Sequence, residues 1–314
     1  MSNFIICARN VVGLGSKKRF GSEPGSISYV VVPDDATDFT PDDRQRNETV
    51  WLSKLTEGRN LKEVLVYIHG YNMDRDITLE RHKILKSGLK NKGWNGELIT
   101  FAWPSKDHTL LYWEDRFDGL DIAYQLVSKC IRLLNNQMQN GCQMNVHVIA
   151  HSTGALIVRE GFKIAQSAMR QQDAVWSVGQ MVLIAGDIST DSMLGGDSDA
   201  LYRHCGRITN YFSNYDSALQ VSSAKRLGFA NRVGRVGLPI GSPDKAIDVN
   251  CSSHYKAHEN EFESTVIHAA LSHSWYFWSD VFLQDLYLTL IGEYDRNVIP
   301  TRHQDNAGEF WLNT

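Results

Sequence analysis

The sequence predicts an α/β protein with a mostly parallel central sheet flanked by helices on both faces. Three observations carry that expectation. Short apolar runs of strand length alternate with longer helical patterns between about residues 62 and 186, the rhythm of consecutive βαβ units. The strand-like runs are almost continuously apolar, as strands covered on both faces are. No run of about 18 apolar residues occurs, so no membrane-crossing helix is expected.

Taken in order, Lys62-Glu63-Val64-Leu65-Val66-Tyr67-Ile68-His69-Gly70 reads as a buried strand ending in a glycine turn, with a helix over 77–90 behind it. Leu98-Ile99-Thr100-Phe101-Ala102-Trp103-Pro104 is the next strand, stopped by a proline that cannot donate a ladder hydrogen bond. Within 114–139, Leu120, Ala123, Tyr124, Val127, Ile131 and Leu134 recur at helical spacing and form a stripe able to pack on the sheet. Asn145-Val146-His147-Val148-Ile149-Ala150 reads as a strand, 154–170 as a helix, and Met181-Val182-Leu183-Ile184-Ala185 as another strand. Beyond residue 186, the stretches at about 187–206 and 219–248 are rich in Gly, Ser, Asp and Pro. They read as long loops or small cap excursions around one strand at 207–213. A last helix over 275–291 carries Trp278, Phe282, Leu286 and Leu290 along one side. Without repeats or linkers, residues 1–314 read as a single domain.

Composition narrows the function classes. A net charge of -4 gives no electrostatic reason to expect nucleic acid or an anionic membrane as partner. The N-terminus lacks a basic start followed by an apolar core, and the five cysteines are odd in number with no CxxC pair. Reduced thiols and a cytoplasmic location are the expectation.

The chemistry concentrates at Ala150-His151-Ser152-Thr153-Gly154. A strand, a small-x-Ser-x-Gly turn and a helix form the nucleophile elbow of the α/β-hydrolase fold, which lifts the serine hydroxyl clear of the sheet. Small residues are needed two before and two after the serine because strand and helix approach closely there, and Ala150 and Gly154 meet that need. Ser152 is thus the expected nucleophile; the competing reading is a helix N-cap, for which serine is also favoured. An acyl-transfer serine also needs two backbone donors for the developing oxyanion. Thr153 N–H supplies one, and Tyr71 N–H, in His69-Gly70-Tyr71-Asn72 after an earlier strand, is the candidate for the other.

In this fold the acid follows the serine and the base follows the acid. His273, in Leu271-Ser272-His273-Ser274-Trp275 before the last helix, is the preferred base, with His268 as its nearest rival. Asp216, after the later strand, is the preferred acid; Asp187, one strand earlier, is the alternative acid. His254 and His258 stand four apart, but without the glutamate of HExxH they read as solvated surface histidines rather than a metal site. No metal or organic cofactor is called for. Trp103, His151, Trp275 and Tyr276 neighbour the predicted catalytic segments and are candidates for the substrate pocket, with core packing as the alternative for the aromatics.

The chain resembles a bacterial family of α/β hydrolases of unknown function, described as esterase/lipase-like. The likeness rests on Ile27-Ser28-Tyr29-Val30-Val31-Val32-Pro33, Val66-Tyr67-Ile68-His69-Gly70-Tyr71-Asn72, Phe101-Ala102-Trp103-Pro104-Ser105, Ile149-Ala150-His151-Ser152-Thr153-Gly154, Asn214-Tyr215-Asp216-Ser217-Ala218-Leu219 and His273-Ser274-Trp275-Tyr276. It implies Ser152, Asp216 and His273 as a triad. Thr153 departs from the family's more frequent methionine, which changes the pocket wall and leaves the backbone donor in place.

Two further features are set aside. Gly13-Leu14-Gly15-Ser16-Lys17-Lys18 lacks the GxxxxGK[ST] spacing and is read as a solvated turn with no strong buried strand before it. Lys225, Arg226, Arg232 and Arg235 are read as loop decoration. The expected function is ester hydrolysis of a small-molecule acyl substrate through an acyl-enzyme. Acyl transfer and amide or lactone cleavage by the same triad are the alternatives, as is a non-catalytic binding protein on a hydrolase scaffold.

Overall fold

The structure, a computed structural model, describes residues 2–58, 60–105, 117–139, 144–168, 176–225, 230–265 and 270–314. The chain opens with β1 (Ser2–Val12) and β2 (Arg19–Pro33), an antiparallel hairpin at one sheet edge. Helix α1 (Glu48–Thr56) leads to β3 (Glu63–Ile68), α2 (Arg75–Asn91) and β4 (Glu97–Ala102). Helix α3 (Phe117–Gln125), a π-helical segment at Leu126–Ile131 and α4 (Arg132–Gln139) run on as one stretch before β5 (Asn145–His151), α5 (Thr153–Ala168) and β6 (Val178–Ile184). Next come α6 (Asp199–His204), β7 (Cys205–Phe212), α7 (Ser217–Lys225), α8 (Val233–Val236), β8 (Ala246–Asn250) and α9 (Ser252–Thr265). The short α10 (Leu271–Ser274), α11 (Asp280–Ile291) and a closing hairpin of β9 (Arg302–Gln304) and β10 (Phe310–Leu312) complete the chain.

The ten strands form one sheet in the order β2-β1-β4-β3-β5-β6-β7-β8-β10-β9. Every neighbouring pair from β1 through β10 in that order is parallel, and only the two terminal hairpins are antiparallel. The predicted sheet class is therefore the observed one. Along β3 the side chains alternate between two cores. Val64, Val66 and Ile68 join Trp51, Leu126 and Ile157 on one face, while Leu65 and Tyr67 join Leu85, Trp275 and Leu286 on the other. The period of two is real, but with apolar helices covering both faces it leaves no polar alternation to read.

The strand order decides where a site can form. From β3 the chain first builds toward β4, then crosses back and places β5, β6, β7 and β8 on the other side. The β3/β5 boundary is thus a topological switch point, and the crevice outside the carboxyl ends of these two strands is where ligands bind in open α/β sheets. His69–Asn72 follows β3 and Ser152 follows β5, so both predicted segments reach that crevice.

Several expectations need correction. The glycine- and lysine-rich segment at 13–18 is an exposed turn, as expected, but a strand with a buried run from Asn3 to Arg9 does precede it. The stretch at 219–248 is not all loop: α7 and α8 fall within or beside it, and β8 begins at its end. The last helix is interrupted, with a 3-10 turn at Trp275–Trp278 and a fresh N-cap at Ser279, whose side chain accepts from Phe282 N–H.

Candidate active site

The elbow is built from backbone constraints. Ser152 lies between β5 and α5 with φ of 56°, a left-handed conformation that serine seldom adopts. Its N–H donates to Ile184 O at 3.0 Å, and its carbonyl accepts from Ala155 N–H and Asp187 N–H, each at 3.0 Å. Surrounding structure thereby holds a conformation that costs on the order of 1–3 kcal/mol. Ala150 is fully buried, and a Cβ on Gly154 would stand 2.5 Å from Ile68 O and 2.7 Å from His69 O. The small residues around the serine answer to the steric limit read from the sequence.

The loop after β3 is pinned group by group. His69 is fully buried, with its ring stacked on Trp103 at 5.4 Å between centroids. Trp103 N–H donates to His69 Nε2 at 3.2 Å, so that nitrogen is bare and Nδ1 carries the proton. Nδ1–H then donates to Gly70 O at 2.8 Å. In a trans peptide the N–H points opposite the carbonyl, so His69 fixes the direction of Tyr71 N–H. Burial, reinforced by Arg9, pushes the His69 pKa down to about 3, and the ring stays neutral. Asn72 N–H donates to Ser105 O at 2.8 Å and Met73 N–H to Ser105 Oγ at 3.0 Å. Arg9 Nη2 donates to Met73 O at 2.5 Å. Among the described residues Tyr71 N–H has no acceptor, and neither does Thr153 N–H at the first position of α5. Gly70 must be glycine here: a Cβ would meet Ser152 Cβ at 2.9 Å.

Asp216 is fully buried after β7. Its Oδ1 accepts from Leu219 N–H at 2.9 Å, and its Oδ2 accepts from His273 Nδ1 at 2.6 Å. The two loops are also joined directly, because Ser217 N–H donates to Ser272 Oγ at 3.1 Å and the two hydroxyls lie 2.8 Å apart. With Nδ1 committed to Asp216, Nε2 of His273 is the free basic nitrogen. Burial lowers the His273 pKa, but the charge and hydrogen bond of Asp216, with a smaller contribution from Asp187, more than offset this and raise it above the ordinary histidine value. Among the described residues no direct hydrogen bond joins Ser152 Oγ to His273; such bonds are often long in free enzymes and tighten around substrate.

The alternative acid is occupied otherwise. Asp187 lies 3.3 Å from Arg232 Nε, both side chains being about 4% exposed, and its N–H supports the Ser152 carbonyl. Arg232 is therefore not loop decoration; it is the buried counter-charge of Asp187. Lys225 and Arg235 fall in α7 and α8, while Arg226 and His268 lie outside the described residues. Trp103, Trp275 and Tyr276 are fully buried, the last two stacked at 4.1 Å within the core behind His273. These aromatics back the site instead of presenting an open surface.

His254 corrects another expectation. It is 2% exposed, with Nδ1 2.6 Å from Asn313 O and Nε2 2.9 Å from Ser279 Oγ, and burial pushes its pKa down to about 4. It ties the C-terminus to the N-cap of α11. Among the described residues no group of three or more His, Cys, Asp or Glu side chains is arranged to hold a metal ion. Sequence reading assigned no role to Ser105 and Arg9, which pin the loop after β3. Arg9 carries a signal, a lone charge directly after the apolar run Phe4–Ala8, and it is itself buried at the end of that run.

Residues 44–246 match a family described as alpha/beta hydrolase of unknown function, DUF900. The chain belongs to that family. No curated protein matches its sequence. Among solved structures it is similar to an esterase from Pyrobaculum calidifontis, at 11% identity over 74% of this chain and 76% of that one, with a TM-score of 0.41. It is also similar to Est1E from Butyrivibrio proteoclasticus, at 11% identity over 76% of this chain and 91% of that one, with a TM-score of 0.39. Family and fold together make the chain an α/β hydrolase.

Proposed function

We propose that this hydrolase cleaves carboxylic esters of small acyl substrates through a Ser152–His273–Asp216 triad and an acyl-enzyme. The observation that carries the reading is the 2.6 Å bond from His273 Nδ1 to buried Asp216, in a site whose serine is held at φ of 56°. That bond leaves His273 Nε2 free to take the Ser152 Oγ proton as Oγ attacks the ester carbonyl. The oxyanion forms against Tyr71 and Thr153 N–H, two donors that have no acceptor among the described residues. Collapse breaks the ester C–O bond, and His273 returns its proton to the leaving alkoxide. Water then attacks the acyl-enzyme, giving a proton to His273 and releasing the carboxylic acid as Ser152 recovers its own.

The test is a series of p-nitrophenyl esters of increasing acyl length, run beside labelling with a fluorophosphonate probe. Wild type is expected to turn over and to label, and Ser152→Ala to do neither. Equal rates for the two proteins, with no labelling, would leave a binding protein on a hydrolase scaffold.

A further inference from the structure

His151, the last residue of β5, adjoins the nucleophile and reaches two of the loops the reaction needs. Its Nε2 lies 2.9 Å from the main-chain carbonyl of His273. A carbonyl only accepts, so Nε2 carries the proton and Nδ1 is bare. The ring stands 4.8 Å from the His273 imidazole and packs edge-on against Phe277 at 5.3 Å, centroid to centroid. On its other side, Nδ1 is 3.2 Å from the position a Cβ on Gly70 would occupy, in the loop that carries Tyr71. One side chain thus spans the nucleophile's strand, the turn bearing His273 and the loop bearing an oxyanion donor.

The His273 turn needs such an anchor. Helix α10 is only four residues long, and His273 N–H bonds back to the carbonyl of its N-cap residue Ala270, at 3.1 Å. Asp216 fixes the imidazole through Nδ1 but leaves open the depth at which the ring meets Ser152. The bond from His151 joins the His273 backbone to the residue adjoining the nucleophile, so that distance is set within the site itself. Burial foremost, then the neighbouring His273, holds His151 far below the ordinary histidine pKa. It therefore stays neutral while His273 carries the proton.

We propose that His151 is a positioning residue whose Nε2–H, donated to the His273 carbonyl, sets the reach of the His273 imidazole to Ser152. The proposal rests on the hydrolase reading. Small misplacements in such a site cost rate disproportionately, up to about 10²-fold for roughly 1 Å. In p-nitrophenyl ester turnover His151→Phe, which keeps an aromatic ring and loses the donor, is expected to lower kcat on the order of 10- to 100-fold with KM within about twofold. His151→Gln, which restores an N–H at similar reach, is expected to recover much of that loss, and melting temperatures are measured for both. Unchanged kcat in His151→Phe would overturn the proposal, as would a Gln variant that folds and is no better than Phe. If wild type neither labels nor turns over, the hydrolase reading has failed on its own. The His273 Nδ1 proton resonance then carries the test: a shift in His151→Phe that Gln reverses supports positioning, and an unmoved resonance overturns it.

Discussion

At His273, burial favours a neutral imidazole and the Asp216 carboxylate reverses that preference. A base works only when unprotonated, so activity should rise with pH through the His273 pKa, which stands above the ordinary value of about 6.5. Asp216→Asn removes the charge and the correct tautomer together. It is expected to lower kcat by roughly 10³- to 10⁴-fold and to move the acid limb of the pH–rate profile to lower pH. Asp187→Asn should keep most of the turnover and instead lose stability, because it leaves Arg232 buried without its counter-charge. A reversed outcome, with Asp187→Asn inactive and Asp216→Asn near normal, would reassign the acid. His69 sits in the same loop system but does not titrate in this range, being neutral down to about pH 3. Its contribution is direction, so His69→Phe is expected to reduce kcat about 10- to 100-fold without moving the acid limb. A shifted limb in that variant would show that His69 acts through charge.

At the scale of elements, the junction of β3, β5 and α5 is limited by backbone contact. Gly154→Ala would drive a methyl against Ile68 O and His69 O, which sit on elements unable to rotate away. Overpacking of this kind costs about 1–3 kcal/mol, and here the strain falls on the loop carrying Tyr71. We expect a lower melting temperature and a loss of kcat larger than that of Ala150→Gly; a fully active Gly154→Ala would refute the steric account of the elbow. Such local constraints are what sequence reveals well. The elbow shows in five consecutive residues, while chain order only narrows the acid to Asp216 or Asp187 and the base to the histidines after them, with His273 preferred for its place before the last helix. What stayed hidden depends on distant partners. His254 looks like a surface histidine until Asn313 and Ser279 close over it, and Arg232 looks like a loop cation until Asp187 is brought beside it. Strands β9 and β10 have three residues each, too few to display a period, and β2 is mostly half-buried or exposed, so its pattern is diluted.

The whole molecule is closed at its C-terminal edge by one buried polar cluster. Arg302 in β9 donates from Nε to Asp285 Oδ2 at 2.8 Å and from Nη2 to Oδ1 at 2.6 Å, and its Nη2 also reaches Thr289 at 2.7 Å. Tyr211 of β7 donates its hydroxyl to the same carboxylate, as does Thr301 at 2.6 Å. The cluster locks α11 and the last hairpin onto β7, the strand that leads to Asp216. From the same edge β10 pairs with β8, and Ser252 just beyond β8 accepts from Asn214 N–H in the acid-bearing loop. Arg302→Met should therefore act on the fold and not on the chemistry. Leaving Asp285 buried without its cation costs about 3–5 kcal/mol, a fall in melting temperature on the order of 10 °C. Replacing both partners, as Arg302→Met with Asp285→Leu, removes the stranded charge and should restore much of the loss. Turnover of the single variant measured well below its melting transition should stay near wild type and then vanish along with the fold. A drop in kcat at full stability, or a double variant no better than the single, would mean that the cluster shapes the site directly instead of holding the edge that supports it.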